Sequence, residues 1–405
     1  MPSEINLGLF GCGVMGQRHI KGMARLQQVN RSRVGLVGVC DLVPENAERA
    51  AALAEQLLGQ RPRIYASFAE MRKDVNVKVN AITLTTMPNA HVGLGIEALA
   101  AGVHVLCEKP IALTVKQGLR LIAAARAAGR KLSVAENYRR DPMNRLGKAL
   151  LDAGVIGRPF LMTQSSSGSG EDVVITPWRH LKKSCGIAVD MGVHYTDILE
   201  YFLGPVSSVV GINAVVDAQR KGSDGKLHPA DAEDLTAGVL QFASGAIGNY
   251  LLSMAGRGEG HFLRMIYGTQ GSLKLPPDRS GQAVQCVQRV NGKDVPVPEA
   301  ELLALVPSFK LDDTTAALFG GPHHAPRLSS YQMDWAAIDA SLIAIEYDDL
   351  ANAILNNCEP EVNGEQGNRS LALMYGFLES QRLGRMVSAD ELTSGQVSAY
   401  QDELE

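Results

Sequence analysis

The sequence predicts an α/β unit joined to an α+β unit. Residues 1–137 read as a doubly wound parallel-sheet domain, and residues 138–405 as a domain with an open, mostly antiparallel sheet. Three observations carry this prediction. A buried strand pattern runs directly into Gly11-Cys12-Gly13-Val14-Met15-Gly16. Strands and helices then alternate with short polar links as far as Ala135. Beyond Tyr138, strands with alternating apolar and polar residues dominate.

Residues 5–10 (INLGLF) form the first strand, and a helix-compatible stretch runs from the glycines through Leu26. In this G-x-G-x-x-G order Gly11 permits a tight turn. Gly13 lets the backbone approach a pyrophosphate, and Gly16 lets the helix pack closely on the strand. The phosphates then meet the helix N-terminus, where free N–H groups and the dipole favour an anion. A second strand at Val34–Cys40 completes a dinucleotide-binding Rossmann fingerprint. It ends in Asp41, whose carboxylate can accept from ribose hydroxyls and repel a 2′-phosphate, which predicts NAD in preference to NADP. Asp41 lies 25 residues beyond Gly16, against about 20 in the usual fingerprint. A longer loop around Gln27–Arg33 absorbs the difference. The competing reading makes Asp41 a turn residue before Pro44.

A helix over Pro44–Leu58, a short strand near Arg63–Tyr65 and a small helix follow. Strands at Lys78–Leu84, Val103–Cys107 and Leu132–Ala135 alternate with helices at His91–Ala101 and Thr114–Ala128. Ligands of such sheets bind at the carboxyl ends of the strands. That rim carries Thr85–Met87, Glu108-Lys109-Pro110 and Glu136–Arg140. In the second unit helices are expected near Arg145–Ala153 and Ile187–Phe202, the latter stopping at Gly204-Pro205. Strands are expected at Phe160–Ser165, Val206–Val216, Ala237–Phe242, Ala246–Ser253, Phe262–Tyr267 and Gly271–Leu275. Asp190 and His194 are four apart on a helix and so share a face. Either the carboxylate orients the imidazole or both face a cleft. The polar, acidic tail Gln396–Glu405 is expected to fray.

Composition narrows the function classes. With 39 basic and 43 acidic residues the net charge is −4, which argues against a nucleic-acid or anionic-membrane binder. Hydrophobic residues at 45% and charged ones at 20% fit a soluble chain with a real core. No apolar run approaches the ~20 residues of a membrane span. The start MPSEINLGLFG lacks the regions of a signal peptide, so a cytoplasmic location is expected. Six scattered cysteines without a C-x-x-C pair read as reduced thiols. His323-His324 read as loop residues, and no metal site is expected.

Several segments together resemble the glucose–fructose oxidoreductase / inositol 2-dehydrogenase (Gfo/Idh/MocA) family. They are the glycine loop with His19, Pro88-Asn89-Ala90-His91, and Gly102–Pro110 with its Glu108-Lys109-Pro110 triplet. Cys185–His194 resembles the family's "GG…D-x-G-x-H" helix. Ala232-Glu233-Asp234, Phe242–Gly248, Tyr267–Leu273 and Asn352–Gly384 agree with its later elements. Two departures stand out. Leu275–Trp335, long and rich in Gly, Pro and His, does not map onto the family pattern by its motifs and is an expected seat of substrate selectivity or assembly contacts. Cys185 stands where relatives carry a glycine, and its side chain is expected to narrow the site.

The resemblance implies that Lys109, Asp190 and His194 surround a reacting hydroxyl. His194 is assigned as general base, because an ordinary imidazole exchanges protons near neutral pH. Lys109 would donate to the substrate oxygen and can relay the proton. Asp190 would bind a neighbouring hydroxyl or tune Lys109 and His194. Glu108, Asn89, His91, Trp178 and Arg179 are expected near the cofactor together with Thr85 and residues 11–16. Tyr138 and Arg139 are expected to reach substrate or phosphate, with interdomain packing as the competing role. The resemblance further implies a homodimer or homotetramer built on the exposed face of the C-terminal sheet. The expected activity is NAD-dependent oxidation of a secondary hydroxyl of a sugar, glycoside or cyclitol, or of a dihydrodiol. The rivals are a glycoside hydrolase that uses NAD transiently and a non-catalytic NAD or sugar sensor.

Overall fold

The computed structural model describes residues 4–169, 177–222 and 225–404. Strands β1 (Ile5–Phe10), β2 (Val34–Cys40), β3 (Arg63–Tyr65), β4 (Ala81–Leu84), β5 (His104–Glu108) and β6 (Leu132–Ala135) form a parallel sheet of order β3-β2-β1-β4-β5-β6. Helices α1 (Val14–Gln28), α2 (Pro44–Leu58), α3 (Phe68–Lys73), α4 (Pro88–Ala100) and α5 (Val115–Ala128) make the crossovers. Both faces are covered, so Leu7, Leu9, Ile82, Leu84 and Val105 are buried in near-continuous apolar strands. The strand order reverses between β1 and β4, which opens a crevice at their carboxyl ends beside the glycine loop.

The chain leaves β6 through a tight turn at Tyr138–Arg140 and enters α6 (Pro142–Asp152), capped by the Asp141 side chain. Next come β7 (Pro159–Ser169), α7 (Gly186–Leu203), β8 (Val206–Ala214) and a short hairpin of β9 (Gln219–Lys221) and β10 (Leu227–Pro229). β11 (Leu235–Phe242), β12 (Ile247–Gly256), β13 (His261–Gly268), β14 (Gly271–Leu275), β15 (Gln285–Val290) and β16 (Lys293–Val297) follow. The chain closes with α8 (Glu299–Leu302), α9 (Asp313–Phe319), α10 (Trp335–Leu355), α11 (Gly364–Leu383), β17 (Val387–Ser388) and α12 (Ala389–Thr393). The second sheet has nine strands in the order β16-β15-β14-β13-β7-β12-β11-β8-β17, antiparallel except for the β7–β12 pair. Leu240, Tyr250, Leu252, Ile266 and Leu273 are buried on its helix-covered face. The strand register places Ile212, Val239, Ile247, Leu251, Leu263, Met265 and Tyr267 on the opposite face, exposed or half-buried.

The segment after Leu275 extends the sheet through β15 and β16, and α10 then returns to the first domain. There it packs along α1, with Ile343 against Gly22 and Tyr347 bonded to His19 and Thr83. The tail departs from expectation. Tyr400 and Gln401 are buried, because Glu379 accepts from both of their backbone N–H groups and Gln401 accepts from Val115 N–H. Among the described residues no helix is long and apolar enough to cross a membrane.

Candidate active site

The glycine loop joins β1 to α1 as its spacing predicts. Gly11 has φ +92°, and a Cβ there would lie 2.6 Å from the Thr85 carbonyl carbon. A Cβ at Gly16 would strike the Gly11 carbonyl oxygen, whereas one at Gly13 would meet nothing within 4 Å. The loop is therefore closed beneath and open above Gly13, the side from which a pyrophosphate can approach. No side chain caps α1 and no acidic residue occupies its first turn, so its free N–H groups suit an anion. Cys12 is buried, Val14 is exposed and Met15 is half-buried. Thr85 braces the loop, its hydroxyl donating to the carbonyls of Phe10 (3.1 Å) and Gly11 (2.5 Å). Asp41 Oδ2 accepts from Cys12 N–H at 2.6 Å, and Oδ1 accepts from Val43 N–H at 2.8 Å. Asp41 thus makes its turn and also stands against the glycine loop. The residues fit an NAD molecule.

At the carboxyl ends of β5 and β6 the second domain closes on the first. Lys109 Nζ donates to Asp190 Oδ1 and to the Asp190 carbonyl oxygen, both at 3.0 Å. Arg179 pairs with Asp190 Oδ2 at 3.0 Å. Burial alone would raise the Asp190 carboxyl, but the two cations hold it below its ordinary value. Asp190 therefore orients Lys109, and the imidazole takes a different partner. His194 Nδ1 lies 2.8 and 2.7 Å from the two carboxylate oxygens of Glu136. Burial pushes the His194 imidazole well below the usual histidine value, and Lys109 and Arg279 add to this. The ring is therefore held neutral, unlike the ordinary imidazole on which the sequence assignment rests. Burial also lifts Glu136 to about 7.

Other residues singled out from the sequence have protein partners of their own. Tyr138 is buried and stacks on His194, with ring centroids 4.1 Å apart and planes 8° apart, so it shapes the imidazole site. Arg139 is committed to Asp197 by bonds of 2.8 and 2.5 Å, in keeping with the packing role. Glu108 is buried, its oxygens taken by His19 Nε2 at 2.9 Å and Lys109 N–H at 3.0 Å. His91 is buried against the carbonyls of Pro110 (3.0 Å) and Thr86 (3.1 Å), so it pins the rim and leaves no ring nitrogen for a cofactor. Asn89 is exposed within the first turn of α4 and does not cap it. Trp178 is half-buried beneath the Arg179 guanidinium at 5.1 Å, and the pair sits at Asp190. Cys185 is buried with φ +93° at the start of α7, a backbone conformation that favours glycine.

Two functional residues escaped the sequence reading. Glu136 is one residue beyond β6, on the predicted rim, and that position was its only signal. Arg279 lies in the unassigned segment at φ +59°. Its neighbour Asp278 is anchored to the fully buried Arg264 at 2.7 and 3.0 Å. Arg279 then donates to Asn137 Oδ1 at 3.1 Å and lies 5.2 Å from the Tyr138 ring centre and 3.5 Å from Asp339. Asp339 also binds Arg18 of α1. Among the described residues no cluster of three or more His, Cys, Asp or Glu is arranged to hold a metal ion.

The sequence profile described as "Oxidoreductase family, NAD-binding Rossmann fold" matches residues 5–136, and that of the same family's "C-terminal alpha/beta domain" matches residues 148–389. D-apiose dehydrogenase of Paraburkholderia graminis is 26% identical over 393 residues, spanning 95% of this chain and 89% of that protein. Levoglucosan dehydrogenase of Pseudarthrobacter phenanthrenivorans is 26% identical over 295 residues, 68% of this chain and 74% of that one. The solved structure of an NAD-binding oxidoreductase from Klebsiella pneumoniae shares the fold. Its TM-score is 0.78 at 23% identity, over 96% of this chain and 99% of that chain. The chain belongs to the Gfo/Idh/MocA oxidoreductase family and is an NAD-dependent dehydrogenase.

Proposed function

We propose that this dehydrogenase oxidises a secondary hydroxyl of a sugar, glycoside or cyclitol. The observation that carries the reading is the convergence of Lys109, Asp190 and His194 where the second domain meets the carboxyl ends of β5 and β6. The names of the sugar-directed relatives support a polyhydroxylated substrate. NAD would lie along the glycine loop and Asp41, and when bound it supplies the hydride acceptor. Lys109, fixed by Asp190, donates to the substrate oxygen and stabilises negative charge developing there. Neutral His194 takes the hydroxyl proton through Nε2, because Nδ1 is committed to Glu136. The apolar outer face of the second sheet supports assembly into a homodimer or homotetramer.

The test is NADH fluorescence of purified protein with NAD and a panel of sugars, glycosides, inositols and dihydrodiols. A rise with sugars, glycosides or inositols is expected. A rise with dihydrodiols alone would replace the substrate class. Glycoside cleavage without net NADH would replace the reaction by the oxidation–elimination route. Tight NAD binding without turnover of any kind would favour a sensor.

A further inference from the structure

We propose that Glu136 is the terminal acceptor of the substrate proton, reached through His194, and not only an anchor for the imidazole ring. The inference rests on the dehydrogenase reading. Both carboxylate oxygens of Glu136 lie within 2.8 Å of Nδ1, and the carboxylate is itself fixed by Tyr138 N–H at 3.0 Å. Tyr138 stacks on the imidazole, and the Arg279 guanidinium lies 5.2 Å from the Tyr138 ring centre. The imidazole is thus clamped with Nδ1 on Glu136 and Nε2 left for exchange.

The proton balance follows from this clamp. The substrate O–H bond breaks and an Nε2–H bond forms. The Nδ1–H bond breaks and an O–H bond forms on Glu136. A bound NAD would supply the acceptor for the carbinol hydride. Glu136 ends protonated and uncharged, and the imidazole is neutral before and after. The relay leaves the ring neutral, whereas a lasting imidazolium would be a buried charge. Burial opposes that charge first, followed by Lys109 at the end of β5 and Arg279 from the segment after β14, while Asp190 of α7, Glu108 of β5 and the Glu136 carboxylate at 2.7 Å favour it. Glu136 faces Lys109, Arg139 and Glu108, with Glu346 of α10 and Asp197 of α7 nearby, and burial dominates its raised affinity for a proton.

The experiment follows the His194 tautomer by NMR in the cofactor-free chain, labelled with 15N in its nine histidine rings. Loss of its signals in His194→Gln assigns the residue. In the wild type the ring proton is expected on Nδ1 above pH about 7 and on Nε2 below, as Glu136 titrates. Glu136→Gln is expected to abolish the change. It is also expected to lower turnover about 10²-fold and to remove the pH dependence near neutrality. One fixed tautomer between about pH 6 and 8 in the wild type would overturn the proposal. So would a Glu136→Gln enzyme with an unchanged pH profile. The wild-type titration decides alone if the variant fails to fold. A tautomer change without turnover of any polyol would support the pair and reject the dehydrogenase reading.

Discussion

Lys109 Nζ makes two bonds to one residue, 3.0 Å to Asp190 Oδ1 and 3.0 Å to the Asp190 carbonyl oxygen. The first residue after a parallel strand is thereby tied to a helix of the second domain. The bonds fix the ammonium in depth as well as direction, since side chain and backbone of Asp190 both hold it. Asp190 keeps its charge because Arg179 supplies a second cation.

Removing the ammonium should act on chemistry more than on cofactor binding. Lys109→Ala is expected to lower kcat by about 10²–10³-fold, the usual cost of one donor to a developing oxyanion. NAD titration by fluorescence should still give saturable binding. Asp190→Ala leaves Lys109 and Arg179 without their buried counter-charge and should cost about 3–5 kcal/mol in denaturant unfolding.

Two glycines of the loop should separate folding from binding. Gly13→Ala adds a Cβ into open space, so its Tm should stay near that of the wild type while NAD binding is lost. Gly16→Ala pushes a Cβ onto the Gly11 carbonyl oxygen, so its Tm should fall as well. Thermal melts with and without NAD measure both effects.

Asp41 should govern the choice between dinucleotides. Asp41→Ala is expected to weaken NAD by about tenfold, the equivalent of ~1.4 kcal/mol, and to admit NADP. Calorimetric titration with each dinucleotide checks it. Unchanged NAD affinity without new NADP binding would reduce Asp41 to the turn residue it also is.

The apolar sheet face should hold the assembly together. Val239 and Ile247 are 42% and 50% exposed, and the strand register puts them on the same face. Charged replacements such as Val239→Glu with Ile247→Glu are expected to yield monomers in analytical ultracentrifugation. An oligomer indifferent to both changes would place the interface elsewhere.

The sequence made the first domain legible because its signals are local. A glycine loop states its own geometry, and a parallel strand buried on both faces reads as an apolar run. The Asp190–His194 spacing correctly put both residues on one helix. It did not reveal that Asp190 would serve Lys109 while His194 turned to Glu136, 58 positions away. Periodicity reports which face of an element is buried and not what docks against it. Arg279 was hidden for a related reason. It lies outside regular structure, and the buried Arg264–Asp278 pair that aims it forms only when the segment folds over the sheet. Tyr138 and Arg139 stood on a predicted rim, and only the packing of α7 against it gives them His194 and Asp197 as partners.

The central claim is hydride transfer from a carbinol carbon to NAD. The most direct measurement uses glucose, levoglucosan and inositol deuterated at carbon, each incubated with the protein and NAD, with mass spectrometry of the recovered nicotinamide. Deuterium in the reduced cofactor, together with a ketone product, is the predicted result. Cofactor recovered without deuterium from every substrate would contradict the account.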